Sequence, residues 1–139
     1  MPEQSRIYKL FISNIGQDVK EYNIFLDKLS AAHDFKYKDY AVQGKYLPEE
    51  LKEQIEAVDV VIMLSGLYSK DTKLVQGQID TARSLKKPIV VIRPYGVEMV
   101  PAGLETIATE VVGWNSFCII DSIRTALGEE SDEYCDITD

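Results

Sequence analysis

The sequence predicts an α/β domain built on a doubly wound, five-stranded parallel sheet, and three observations lead there. Short β-branched runs alternate with segments of helical period from Ile7 to Leu127, and such alternation implies βαβ crossovers. The connections are only a few residues long, as those crossovers require. The chain has 139 residues, enough for one buried core and too few for two.

Ile7 to Ser13 (IYKLFIS) is an apolar and aromatic run ending in a Ser-Asn-Ile-Gly turn cluster, which marks a buried first strand. Beyond Asp18, the positions Tyr22, Phe25, Leu26 and Leu29 recur at helical spacing and make one inward stripe. Phe35 to Val42 (FKYKDYAV) alternates in the manner of an edge strand. Pro48 then opens a short helix carrying Leu51 and Ile55. Val58 to Leu64 (VDVVIML) is nearly all β-branched, the pattern of a central strand covered on both faces, and it ends in Ser65-Gly66. After a turn at Tyr68 to Asp71, Val75, Ile79, Ala82 and Leu85 mark a helix that stops at Lys86-Lys87-Pro88. Ile89 to Ile92 is a fourth strand, closed by Arg93-Pro94-Tyr95-Gly96, and Glu110 to Trp114 (EVVGW) a short fifth. Asn115 or Ser116 caps a last helix bearing Ile119, Ile120, Ile123 and Leu127. The expected strand order is 2-1-3-4-5, the flavodoxin-like arrangement, in which ligands bind beyond the carboxyl ends of the strands beside the first one.

Charge narrows the partners. The net charge is −8, but Glu129, Glu130, Asp132, Glu133, Asp136 and Asp139 crowd the last eleven positions, and removing their six charges leaves −2. Residues 1–128 are therefore expected to form the domain, and 129–139 an acidic tail too polar to pack and expected to be disordered. A nearly neutral domain has no basic footprint for nucleic acid or an anionic membrane, so neither is an expected partner. Cys118 and Cys135 make neither a disulfide framework nor a metal-ligand spacing, and His33 has no second ligand near it, so no metal is expected. The first residues offer no apolar run of signal-peptide length and no segment approaches a membrane span, which points to the cytoplasm.

Several doubly wound families are excluded by their strand ends. Ser13-Asn14-Ile15-Gly16-Gln17-Asp18 supplies one hydroxyl and one glycine where a flavin phosphate loop needs several. Ser13-Asn14 and Ser65-Gly66 lack the clustered carboxylates of a phosphate-accepting receiver. Neither a three-glycine dinucleotide fingerprint nor a Walker loop is present.

The combination of YKLFIS, VDVVIMLSGLYSKDTKLVQGQIDTARSLKKPIVVIRPYG and EVVGWN resembles the TIR-like domains of bacterial antiphage defence, of the Thoeris ThsB type, and the small stand-alone TIR-like proteins related to them. The resemblance spans about residues 6 to 127. It implies a flavodoxin-like (TIR-like) fold and an NAD nucleosidase or ADP-ribosyl cyclase, which cleaves nicotinamide from NAD as its substrate, with no cofactor, and makes a cyclic or conjugated ADP-ribose signal. The family pattern Trp-x-x-x-Glu-Ile-x-x-Ala followed by Lys-Pro-Ile places Leu74 at the tryptophan and Gln78 at the essential glutamate, with Ile79, Ala82, Lys87, Pro88 and Ile89 in step. A carboxylate beside the ribose stabilises the positive charge that develops as the nicotinamide bond breaks, and losing one such group costs about 100-fold to 1000-fold. Glutamine keeps the size but not the charge. Gln78 thus marks either a natural member that uses its pocket without chemistry or a replacement of glutamate that holds substrate intact.

Further candidates for substrate binding follow from the resemblance and the strand ends. Phe11 and Ser13 close the first strand, where core and turn roles compete with contact to the nicotinamide ribose. Asn14 and Asp18 can cap the next helix or reach a ligand. Tyr40 and Tyr46 flank the loop after the second strand, where an aromatic face can stack on a base. Ser65, Gly66 and Tyr68 follow the third strand, and Arg93 can pair with a diphosphate or with Glu98 or Glu110. Expected partners are NAD or an ADP-ribose derivative, further copies of the chain, and an effector reached through the product. Two other readings share the fold: a TIR-like interaction or nucleotide-sensing module, and a nucleoside deoxyribosyltransferase-like enzyme.

Overall fold

The β-branched run Val60–Leu64 forms β3, and all five of its side chains are buried, as befits a strand covered on both faces. Around it the computed structural model, which describes residues 6–16, 20–32, 34–96, 99–100 and 103–129, arranges β1 (Ile7–Ile12), β2 (Lys36–Asp39), β4 (Ile89–Ile92) and β5 (Glu110–Val112). All neighbouring pairs are parallel, in the order β2-β1-β3-β4-β5, so the flavodoxin-like α/β fold read from the sequence is the fold observed. Register is set by burial: Leu10, Phe11 and Ile12 of β1 lie against Val60, Val61 and Ile62 of β3, and none of the six is exposed.

The helices are α1 (Lys20–Ser30), α2 (Pro48–Glu56), α3 (Thr72–Ser84), α4 (Leu104–Ile107) and α5 (Ser116–Ala126). The step from β1 outward to β2 and the steps from β2 through β5 run in opposite directions. Right-handed crossovers therefore put α1 on one face and α2, α3 and α4 on the other. Contacts agree, α1 packing with α5 and α2 with α3. Polar side chains start the longer helices: Asp71 Oδ1 accepts from Leu74 N at 3.2 Å, and Asn115 Oδ1 from Cys118 N at 3.1 Å, each closing an otherwise open amide.

Four strands are shorter than their sequence patterns, β1 by Ser13 alone. β2 stops at Asp39 because the Asp39 carboxylate turns back to accept from Ala41 N and Ile12 N. β3 begins at Val60, Asp59 being engaged with Lys9 through both its amide and its carboxylate. β5 ends at Val112, and Trp114 instead donates its indole N–H to Arg93 O at 2.7 Å. The single turn α4 was not anticipated from the sequence. Cys118, left without a partner in the sequence reading, is disulfide-bonded. At the end of the domain Tyr8 donates to Glu129 Oε1 at 2.7 Å and Arg6 pairs with Glu129, so Glu129, counted with the tail, is tied to β1. Residues 130–139 of that tail lie outside the described residues, as do His33, Asp18 and Glu98. Among the described residues no helix is long and apolar enough to cross a membrane, and no three potential ligands gather as for a metal ion.

Candidate functional site

The carboxyl edge of the sheet is closed first by its own side chains. Ser13 Oγ accepts from Leu64 N at 2.8 Å, and Ser65 Oγ donates to Ile92 O at 2.7 Å. Both serines are fully buried, so their hydroxyls lace the ends of β1, β3 and β4 together. Phe11 is likewise fully buried, in the core.

Gln78 comes from the inward face of α3, where it follows Leu74 and Val75 by one helical turn. Its amide Nε2 donates to Asn14 O at 2.8 Å, so the side chain crosses from α3 to the chain leaving β1. The side chain is 0% exposed. Its Oε1 is sealed and has no hydrogen-bond partner, a state that costs about 1–3 kcal/mol for a buried polar atom. Asn14, itself buried, continues the chain of contacts: its Oδ1 accepts from the Tyr46 hydroxyl and its Nδ2 donates to Ile12 O. Gln78, Asn14 and Tyr46 thus link α3, the β1 end and the loop between β2 and α2.

A carboxylate absent from the sequence reading lies at the same edge. Glu21, in the first turn of α1, reaches over the sheet, and its Oε2 accepts from Tyr95 N, just past β4, at 3.1 Å. Its Oε1 is sealed without a partner. The carboxylate rests on Gly66: a Cβ there would overlap it, with Glu21 Cδ only 2.7 Å away. The one clue in the sequence was the glycine that follows β3. A second missed carboxylate, Asp39, accepts from Ile12 N, Ala41 N and, at 2.8 Å, the Tyr22 hydroxyl. Burial raises the Asp39 carboxyl above its ordinary value, the Ala41 and Ile12 amides and the Tyr22 hydroxyl offsetting part of that rise. Burial and the nearby Asp39 charge also push the Tyr22 phenol upward, which keeps it a donor.

The remaining candidates lie apart from these groups. Tyr68 donates to Gln76 Oε1 at 2.9 Å, and Gln76 Nε2 to Asp80 Oδ1. A cleft of about 250 Å³ between α3 and α4 is lined by Tyr68, Gln76, Ile79 and Arg83 among others, and neither Gln78 nor Glu21 reaches it. Tyr40 is half-buried under Lys38, whose Nζ stands 5.0 Å from the ring centre. Arg93 is half-buried, and its backbone joins β4 to β5 through Val112 O. The site therefore brings Gln78, Asn14, Tyr46, Gly66 and Glu21 to one edge, and leaves Tyr40 and Tyr68 beside it.

A comparison with curated proteins finds no match. The family model described as the Thoeris protein ThsB, TIR-like domain, matches residues 3–99, a span that holds β1 to β4, Glu21, Gly66 and Gln78. The match covers most of the chain, and its sheet has the order read from the sequence: this protein belongs to the Thoeris ThsB TIR-like domain family.

Proposed function

We propose that this domain handles NAD at the carboxyl edge of its sheet, and that its chemistry is cleavage of the nicotinamide–ribose bond to give a cyclic or conjugated ADP-ribose signal. With glutamine at 78 the chain binds the dinucleotide better than it turns it over. Membership in a Thoeris defence family supports an antiphage role, acted out in the cytoplasm, without a cofactor, by a homo-oligomer whose product reaches a separate effector. The observation that carries the reading is Gln78 itself. It stands where the family pattern has glutamate, and its side chain ends at Asn14 beside the end of β1, the edge at which this architecture receives ligands.

Chemistry follows from what a carboxylate would do at that position. It cannot donate to Asn14 O as the amide does, so it either holds a proton or turns away toward ligand hydroxyls. Turned away, it sets a negative charge beside the ribose as positive charge develops there. The Gln78→Glu protein is expected to release nicotinamide from NAD at least about 100-fold faster than the protein with glutamine, the lower end of what one such group contributes. Equal, negligible release from both while NAD binds would sink the catalytic reading. The full burial of Gln78 favours, as second reading, a TIR-like module that senses a nucleotide without chemistry.

A further inference from the structure

We propose that Glu21 is a ligand-binding carboxylate that accepts the hydroxyls of the terminal ribose of an ADP-ribose-like ligand over the ends of β3 and β4. The proposal rests on the nucleotide reading above and adds to it a residue outside the family pattern.

A glutamate in a first helical turn ordinarily needs no explanation, since the helix terminus favours it and water satisfies it. Glu21 departs from that in two ways. Its Oε1 is shut off from solvent and pairs with nothing, while Oε2 is held by the Tyr95 amide. The backbone has also been cleared for it: Gly66 is absent from the positive-φ positions, so its conformation does not demand glycine, and what the missing Cβ does is admit the Glu21 carboxylate. The contrast with Asp39 is informative. Asp39 has both oxygens occupied by Ile12 N, Ala41 N and Tyr22, whereas Glu21 keeps one strong acceptor for a donor that the chain does not supply.

A second sealed acceptor, Gln78 Oε1, stands at the same sheet edge on a fully buried side chain. Asn14, to which Gln78 is bound, follows β1, and Gly66 follows β3, the strand paired to it. Two unmatched acceptors over adjacent strand ends call for a ligand rich in hydroxyl donors, and a negative one repels phosphates. A ribose meets both demands, with the diphosphate directed away from Glu21. Since position 78 carries no charge, Glu21 also keeps an anion at this edge.

ADP-ribose contains no nicotinamide bond, so its affinity tests Glu21 whether or not the Gln78→Glu protein cleaves NAD. Calorimetry should show ADP-ribose binding weakened at least about tenfold by Glu21→Gln, which removes the charge, and by Gly66→Ala, which displaces the carboxylate. Binding of ADP, which lacks the terminal ribose, should stay within about twofold in both, as should ADP-ribose binding by the control Glu53→Gln on the exposed face of α2. Melting curves establish that each variant is folded, and either variant alone suffices. Unchanged or tighter ADP-ribose binding in a folded variant, equal weakening of ADP, or no ADP-ribose binding by the unaltered protein would each overturn the proposal.

Discussion

At Asp39 one carboxylate ends a strand, turns the chain and anchors Tyr22 of α1, and its titration can be read in stability. Burial raises its carboxyl above the ordinary 3.8, so between 3.8 and the raised value the folded chain binds more protons than the unfolded one. Stability from this group is therefore greatest below 3.8 and is lost as pH rises through the folded pKa. Asn at this position cannot titrate. Urea unfolding of the native protein and of Asp39→Asn should show the native protein's relative stability declining from about pH 3.5 toward neutrality; a difference that grows with pH would contradict this. Neither Asp39 nor Glu21 stood out in the sequence, because what distinguishes each is a partner distant in the chain: Ile12 for one, Gly66 for the other. Gln78 did stand out, through a family pattern, but its contact with Asn14 and its complete burial did not.

The elements were legible where their period is long enough to register. α3 and α5 carry apolar positions over three turns, with Asp71 and Asn115 as caps, and their extents follow the reading closely. α4 is one turn with a single buried side chain, Leu104, and one turn has no period. The strand ends depart from the pattern for the same local reason: alternation continues past Asp39, and what stops pairing there is the Asp39 carboxylate itself, turned back onto Ile12 N and Ala41 N. The end of α3 shows a further device. Lys86 adopts φ 58° while Lys86 N and Lys87 N satisfy Arg83 O and Ala82 O, a left-handed exit that favours glycine. That conformation costs a non-glycine residue about 1–2 kcal/mol, against about 0.4–1 kcal/mol of added unfolded-state entropy for glycine. Lys86→Gly is thus expected to stabilise the domain by roughly 0.5–1 kcal/mol in denaturant titration, and destabilisation would show that the lysine itself is needed.

Across the whole molecule, the sheet joins two apolar layers into one core. Phe25 of α1 packs edge-on against Trp114 at 6.1 Å on one side, while Leu51 of α2 and Val75 and Ile79 of α3 are buried on the other. The buried residues of both layers belong to a single cluster through β1, β3 and β4, so the domain should unfold as a unit. Trp114 is the one tryptophan, and its fluorescence reports the α1–α5 side. In Phe25→Ala and in Leu51→Ala, fluorescence and far-UV circular dichroism should give coincident transitions, each variant less stable by about 2–5 kcal/mol; a tryptophan transition unmoved by Leu51→Ala would divide the core. By itself the sequence determined the alternation of elements, the parallel sheet with its order, and the family, since hydrophobic period and motif spacing are properties of neighbouring residues. Only the tertiary structure decided which polar groups meet at the carboxyl edge: that Ser13 and Ser65 are taken up by backbone, that Gln78 is sealed against Asn14, and that Glu21 lies on Gly66. Those facts depend on parallel strands bringing distant residues together in a space where every polar atom must find a partner or be left without one.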